Sequence, residues 1–243
     1  MPILATKNLT KKFDGVKALD GATLSFESGK IIGLVGPNGS GKSTLINLLT
    51  GVLKSDGGEI GIDRVRLGRF FASDVATYGI TRTFQEVRLF NQITVLDNLL
   101  LTLTERNVFA GLFEKHQAWH LEKAKELLEA VELWEKRNEN AGNLSYGQRK
   151  LLEVLRAFAM DAKILFLDEP FAGLSPRMIP VVKKLIGELR AAGKTAVLVE
   201  HNLQLIRELC DHVFVLDSGV LIAEGRPEEV FARQKVVDAY IGK

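Results

Sequence analysis

Gly36-Pro37-Asn38-Gly39-Ser40-Gly41-Lys42-Ser43-Thr44 decides how this chain is read. The stretch fits the phosphate-binding pattern G-x-x-x-x-G-K-[ST]. A short apolar run, Ile31 to Val35, leads into it, and a helix-compatible run, Thr44 to Thr50, leads out. Strand, glycine-rich loop and helix in that order are what such a site requires. Glycines let the backbone wrap closely and aim its N–H groups at phosphate oxygens. The helix that follows adds its positive end to the same anion. Lys42 has the reach for β- and γ-phosphates, and Ser43 can offer a hydroxyl to Mg²⁺. Gly36, Asn38, Gly39, Ser40, Gly41, Lys42, Ser43 and Thr44 are therefore the expected lining of a phosphate site.

A chain of 243 residues is long enough for one large α/β domain, or for a core with an inserted lobe. Hydrophobic residues make up 46% and charged ones 26%, as in ordinary globular proteins. A net charge of +2 gives no sign of bulk nucleic-acid binding or of a polybasic membrane anchor. The single cysteine, Cys210, excludes an internal disulfide framework and is expected to be a packed thiol. The opening MPILATKNLTKKF lacks the apolar core of a secretory leader. No uncharged apolar stretch approaches the ~18 residues of a spanning helix. The chain is expected to be soluble and to reach a membrane only by docking to a partner.

The first part reads as strands at Leu4 to Leu9, Ala22 to Phe26, Ile31 to Val35 and Glu59 to Ile62. Turn signals Asp14-Gly15, Ser28-Gly29 and Asp56-Gly57-Gly58 separate them. Ile80 to Phe84 is a further candidate strand. From Thr94 to Met160 the period becomes helical, as in Leu121, Ala124, Leu127, Leu128 and Val131. Strands return at Ile164 to Leu167, Thr195 to Val199, Val213 to Leu216 and Val220 to Ala223. Helices are expected at Pro176 to Ala191, Asn202 to Leu209 and Val236 to Ile241. A parallel α/β core, 1–86 with 161–243, is thus interrupted by a helical insert, 87–160. His116 and His120 are four apart, but a solvated helix face explains them better than a metal site. Trp119 and Trp134 are expected to pack the insert.

Asp168 ends a buried-type strand, and Glu169 follows it. In a parallel sheet ligands bind beyond the carboxyl ends of the strands. Asp168 is there placed to hold Mg²⁺ or its water, and Glu169 to polarise an attacking water. Leu144-Ser145-Tyr146-Gly147-Gln148 opens a helical run to Met160. Its hydroxyl, free N–H groups and helix dipole make a second anion site.

Taken in order, these motifs resemble the ATP-binding-cassette ATPases over essentially the whole length. Phe13 stands where that family stacks an aromatic on adenine. Thr83-Phe84-Gln85 matches the glutamine loop, LSYGQ the signature sequence, and Ile164 to Pro170 the acidic strand motif. Ala172-Gly173-Leu174-Ser175 takes the place of the D-loop, and Val199-Glu200-His201 ends at the switch histidine. Two positions depart from the pattern. Tyr146 replaces the first signature glycine, and Ser175 replaces the usual aspartate. Gly147 is kept, so function is expected to survive.

The resemblance implies a phosphate-loop NTPase core with an antiparallel β subdomain and an inserted α-helical signature subdomain. It implies ATP and Mg²⁺ as ligands. Lys42 and the loop amides hold phosphates, while Ser43, Asp168 and Gln85 surround the metal. Glu169 activates water, and His201 contacts the γ-phosphate. Ser145 and Gly147, supplied by a second copy or a homologous chain, take the part an arginine finger plays elsewhere. The partners implied are transmembrane permease subunits and a second such ATPase, without nucleic acid. The chain would then sit on the cytoplasmic face of the membrane.

Arg82 to Phe90, then Thr94 to Leu99, is similar to one of the two ATPases of branched-chain amino-acid importers. LSYGQ and Ala239-Tyr240-Ile241-Gly242 are similar to that group too, whose insert is often longer than Glu105 to His116 allows here. The alternatives are the ATPase of a lipopolysaccharide or lipid export system and a non-transport cassette acting on ribosomes or DNA. The last class usually carries tandem cassettes, coiled coils or zinc-binding cysteines.

Overall fold

The computed structural model describes residues 2–63, 65–67, 71–103 and 118–241. Among the described residues the strands are β1 (Pro2–Phe13), β2 (Val16–Glu27), β3 (Ile31–Val35), β4 (Gly57–Ile62), β5 (Val65–Leu67), β6 (Ile80–Arg82), β7 (Ile164–Asp168), β8 (Thr195–Val199), β9 (His212–Asp217) and β10 (Val220–Gly225). The α-helices among the described residues are α1 (Lys42–Leu49), α2 (Val95–Leu103), α3 (Ala118–Ala130), α4 (Tyr146–Ala159), α5 (Ile179–Ala191), α6 (Leu203–Leu209), α7 (Pro227–Val230) and α8 (Gln234–Ile241). The chain divides into two compact units. The first takes Met1–Arg82, Ala162–Glu169 and Ile186–Lys243; the second takes Thr83–Asp161 and Pro170–Leu185. Thr83–Glu86 and Pro170–Leu185, expected in the core, fall in the second unit.

In the first unit, β2-β1-β4-β5 form an antiparallel sheet. Asp14 and Gly15 link β1 to β2 with φ of 47° and 84°. That is the two-residue turn whose twist suits a hairpin. The second sheet runs β10-β9-β3-β8-β7-β6, parallel except for its edge strand β10. β3, β7 and β8 are buried at every position, so each is a continuous apolar run rather than an alternating one. The two sheets share one apolar cluster that includes Leu9, Phe26, Leu34, Leu45, Phe166 and Phe214. Phe26 and Phe214 meet edge to face at 5.2 Å between centroids. Each such buried side chain contributes roughly 1.5–3 kcal/mol.

Several expectations need correction. The strand begun at Ile80 stops at Arg82 rather than Phe84. Beyond it, the N–H and C=O of Phe84 are bonded to side chains of α4 and not to a ladder. β5 and α7 were not anticipated. On α3 the buried positions are His120, Ala124, Leu127 and Leu128, an i, i+4, i+7, i+8 stripe. His120 therefore extends the stripe, at 1% exposure, and is not on a solvated face. Leu121 and Trp119 lie outside the stripe and are exposed. His116 and nearly all of Glu105 to His116 lie outside the described residues, within which no cluster of potential metal ligands occurs. Cys210 is buried, as expected, and burial pushes its thiol pKa well up.

Candidate active site

The carboxyl ends of the parallel strands gather the chemistry of the first unit. β3 runs into the glycine loop, β7 into Asp168-Glu169, β8 into Glu200-His201, and β6 ends on Arg82. β7 pairs with β8 in parallel, and Asp168 stands opposite Val199.

Backbone geometry shapes the loop. Gly41 is the residue before α1, with φ 102° and no side-chain cap. The first-turn N–H groups of α1 are thus left for an anion. A Cβ on Gly41 would lie 2.5 Å from Ala18 O, and one on Gly36 would lie 2.1 Å from Leu216 O. Only glycine fits at either position. Ala18 belongs to β2, so the hairpin that carries Phe13 rests on the loop itself. Phe13 is 43% exposed, with Lys11 Nζ 5.3 Å from its ring centre. It is not a core residue, and its ring is open to a stacking partner.

Lys42 is buried, and its ammonium donates to Gly36 O at 2.8 Å and Pro37 O at 3.0 Å. Burial lowers its pKa, and the charges of Asp168 and Glu169 act against that shift. Asn38, Gly39 and Ser43 are exposed on the loop, Thr44 is half-buried, and Ser40 is buried beneath it.

Asp168 is buried, and Arg82 stands 3.9 Å from its Oδ2. Arg82 also donates to Asn47 Oδ1 at 2.7 Å and Thr50 Oγ1 at 3.1 Å, tying β6 to α1. Sequence reading gave Arg82 no role. Glu169 holds a left-handed backbone, φ 47°, with its N–H on Val199 O at 3.0 Å. That conformation costs a non-glycine residue free energy and recurs at functional sites. His201 Nε2 and Glu169 Oε1 are 3.0 Å apart. An ionised carboxylate only accepts, so the imidazole is the donor. The pair leaves Glu169 one oxygen for a water.

The donor set suits Mg²⁺. A hydroxyl on Ser43 and a carboxylate on Asp168 are hard oxygens, and among the described residues no cluster of three or more potential metal ligands surrounds them. Mg²⁺ bound with a nucleotide takes few protein ligands and fills its shell with phosphate oxygens and water.

Tyr240 on α8 carries no signal in the sequence beyond the Ala239-Tyr240-Ile241-Gly242 resemblance. Burial raises its phenol pKa to about 12, and the backbone N–H of Gly36 acts against that shift.

Gln85, Ser145 and Gly147 belong to the second unit. Gln85 is exposed. Ser145 caps α4 in a reciprocal box. Its Oγ accepts from Gln148 N at 3.4 Å, and Gln148 Oε1 accepts from Ser145 N at 3.1 Å. The Ser145 hydroxyl proton stays available to an anion. Tyr146 lies across Gly173, where a Cβ would meet its ring at 2.7 Å. The departure from the family glycine is thus accommodated inside this unit. Lys150 and Glu153, which sequence reading passed over, are buried on α4.

The chain matches the ABC transporter family over residues 19–172. It is 38% identical, over its full length and 98% of the relative's, to the high-affinity branched-chain amino acid transport ATP-binding protein BraF of Pseudomonas aeruginosa. Among solved structures it is similar to the ADP conformation of an ATP-binding cassette of an ABC transporter, with 38% identity, full coverage of both chains and a TM-score of 0.83. It is also similar to a dimeric cassette in a post-hydrolysis state bound to ADP and Pi, with 26% identity, coverage of 92% of this chain and 98% of that one, and a TM-score of 0.81.

Proposed function

Because this chain belongs to the ABC transporter family and is an ABC ATPase, we propose that it powers an importer of branched-chain or other hydrophobic amino acids. It does so from the cytoplasmic face of the membrane, through separate permease subunits. The observation that carries the catalytic part is the convergence of Lys42, Asp168, Glu169 and His201 at the strand ends of the first unit. Loop N–H groups and Lys42 hold the phosphates, and Phe13 stacks on the base. Ser43, Asp168 and, as the family resemblance implies, Gln85 would hold Mg²⁺, which when bound would neutralise charge on the phosphate oxygens. Glu169 takes a proton from the attacking water, and His201 fixes the carboxylate that does so. Ser145 and Gly147 of a second copy or a homologous chain face the γ-phosphate, and closure of two chains on two ATP molecules follows.

The full-length similarity to BraF supports the amino-acid reading. Support for a permease partner comes from the segment after Gln85. Val95 and Leu99 are buried, Val87, Leu89, Ile93 and Leu96 are half-buried, but Phe90 and Leu101 remain 55% and 53% exposed. Exposed apolar side chains beside a nucleotide sensor suit a short helix from a membrane subunit.

Glu169→Gln tests the mechanism. The amide keeps shape and hydrogen bonding, so ATP binding is expected to persist. Turnover is expected to fall by about 10²-fold or more. Size-exclusion mass in ATP and Mg²⁺ is expected to shift to the dimer. Near-normal hydrolysis would remove Glu169 from its role.

A further inference from the structure

On α4, the helix that Ser145 caps, Lys150 and Glu153 are one turn apart and nearly sealed from solvent, with side chains 1% and 6% exposed. Their charged ends are 3.2 Å apart. Lys150 Nζ also donates to Phe84 O at 2.9 Å. The other carboxylate oxygen, Glu153 Oε1, accepts from the N–H groups of Phe84 and Arg88, both at 3.2 Å. One turn further along, Arg156 Nη1 donates to Arg88 O at 2.9 Å. Four backbone groups of the segment Phe84 to Arg88 thus end on three side chains of a single helix. Gln85 lies between the held points, and all of these residues belong to the second unit.

A buried ion pair is poor stabilisation. Desolvation offsets most of the attraction, and apolar side chains of similar volume would serve about as well. Leucines, however, could not receive the N–H groups or reach the carbonyl, and buried backbone groups must be partnered. The polarity is also matched: the cation meets a carbonyl, and the carboxylate meets two N–H groups.

We propose that Lys150 and Glu153 are positioning residues that lock the glutamine loop to the signature helix, so that the two move as one body. A displacement felt at Ser145 and Gly147 is then delivered to Gln85 and to the apolar surface after it, without slack. The proposal rests on the assignment of Gln85 to the nucleotide-bound metal.

Full-length protein carrying Glu153→Ala, Lys150→Arg, the double swap Lys150→Glu with Glu153→Lys, or Gln85→Ala tests it. Amide exchange and steady-state ATPase are measured on each. Glu153→Ala should speed exchange at Phe84 and Arg88 by about tenfold while the central amides of α4 stay protected. Its kcat should fall about tenfold, with KM for ATP within about twofold, because the phosphate loop is untouched. Lys150→Arg keeps the donors and should retain both exchange pattern and kcat. The swap restores an ion pair but turns a carboxylate on Phe84 O and an ammonium on two N–H groups, so it should not rescue turnover. Unchanged exchange in Glu153→Ala, or a swap with wild-type kcat, overturns the proposal. Faster exchange with unchanged kcat also overturns it, provided Gln85→Ala is itself slow. Wild-type kcat in Gln85→Ala removes the metal assignment instead, and the lock then stands or falls by exchange alone.

Discussion

The phosphate loop and the glutamine loop are both short and irregular, yet they are held in opposite ways. The first is held by backbone. Gly36 and Gly41 admit carbonyls of Leu216 and Ala18 where any side chain would collide, and the N-terminus of α1 supplies the field. The second is held by side chains reaching across 65 to 69 residues of sequence, from Glu153 to Arg88 and Phe84. A backbone-built site leaves its glycines in a local string. A side-chain-built one leaves only a lysine and a glutamate on a helix, where they pass for a solvated face.

Gly41→Val is the sharpest way to break the backbone half of this comparison. At φ 102° a β-branched residue is strained, and its Cβ would strike Ala18 O. ATP affinity is expected to drop at least about a hundredfold, near 2.7 kcal/mol. A binding titration on protein shown to be folded by circular dichroism checks it. Wild-type affinity would mean that the loop tolerates side chains and is not shaped by close approach.

The second unit offers a contrasting break, in coupling rather than in nucleotide binding. Phe90→Glu with Leu101→Glu places charge on the exposed apolar surface and leaves the backbone bonds of Phe90 to Asn98 in place. Permease association is expected to weaken by about tenfold or more, since a charge cannot enter an apolar contact without desolvation. ATPase of the isolated chain should stay within about twofold. Co-purification with the permease and a solution ATPase assay read the two effects separately. Equal loss of both would show that the surface is part of the nucleotide machinery.

Phe13→Ala is expected to act more mildly. The ring is half-exposed at a hairpin end, so its removal should change melting little. A stacking contact of about 0.5–1.5 kcal/mol predicts ATP weakened roughly two- to tenfold, with Phe13→Tyr tolerated. Unchanged affinity in a folded Phe13→Ala protein would leave the base without this partner.

How much could be read in advance follows the same division. β3, β7 and β8 were legible because strands buried on both faces are uninterrupted apolar runs. The Asp14-Gly15 hairpin was legible because its turn demands that pair. Gly36 to Thr44 and Asp168-Glu169 stand out as strings at strand ends, whereas His201 enters only through the resemblance. Arg82 carries no signal of its own in the sequence, since its partners Asn47, Thr50 and Asp168 meet it only once β6 lies beside β7. His120 was misjudged because its side chain is polar, although it falls on the period of Ala124, Leu127 and Leu128. Lys150 and Glu153 could have been suspected from that logic, for α4 buries Leu151, Leu152, Val154 and Leu155 around them.

The smallest effect concerns Tyr240, a side chain of α8 beside the backbone-built loop at Gly36. Tyr240→Phe removes the buried hydroxyl next to Gly36. A loss of about 0.5 kcal/mol, the low end for one neutral polar contact, lowers ATP affinity about twofold. A pH signature reads how far the phenol is buried. The phenol pKa is raised from its ordinary value of 10.0 to about 12, chiefly by burial and against the opposing effect of Gly36 N–H. Between those values the folded state holds the proton more tightly than the unfolded chain does, so stability falls as pH rises through the window. Below it the contribution is fully present. The phenylalanine variant has no proton to lose and should show a flatter decline over about pH 10 to 12. Denaturant titrations of both proteins at each end of that window measure the difference. Parallel curves would mean that Tyr240 is as free to ionise in the fold as in the unfolded chain, and the contact with Gly36 would then lie outside any buried environment.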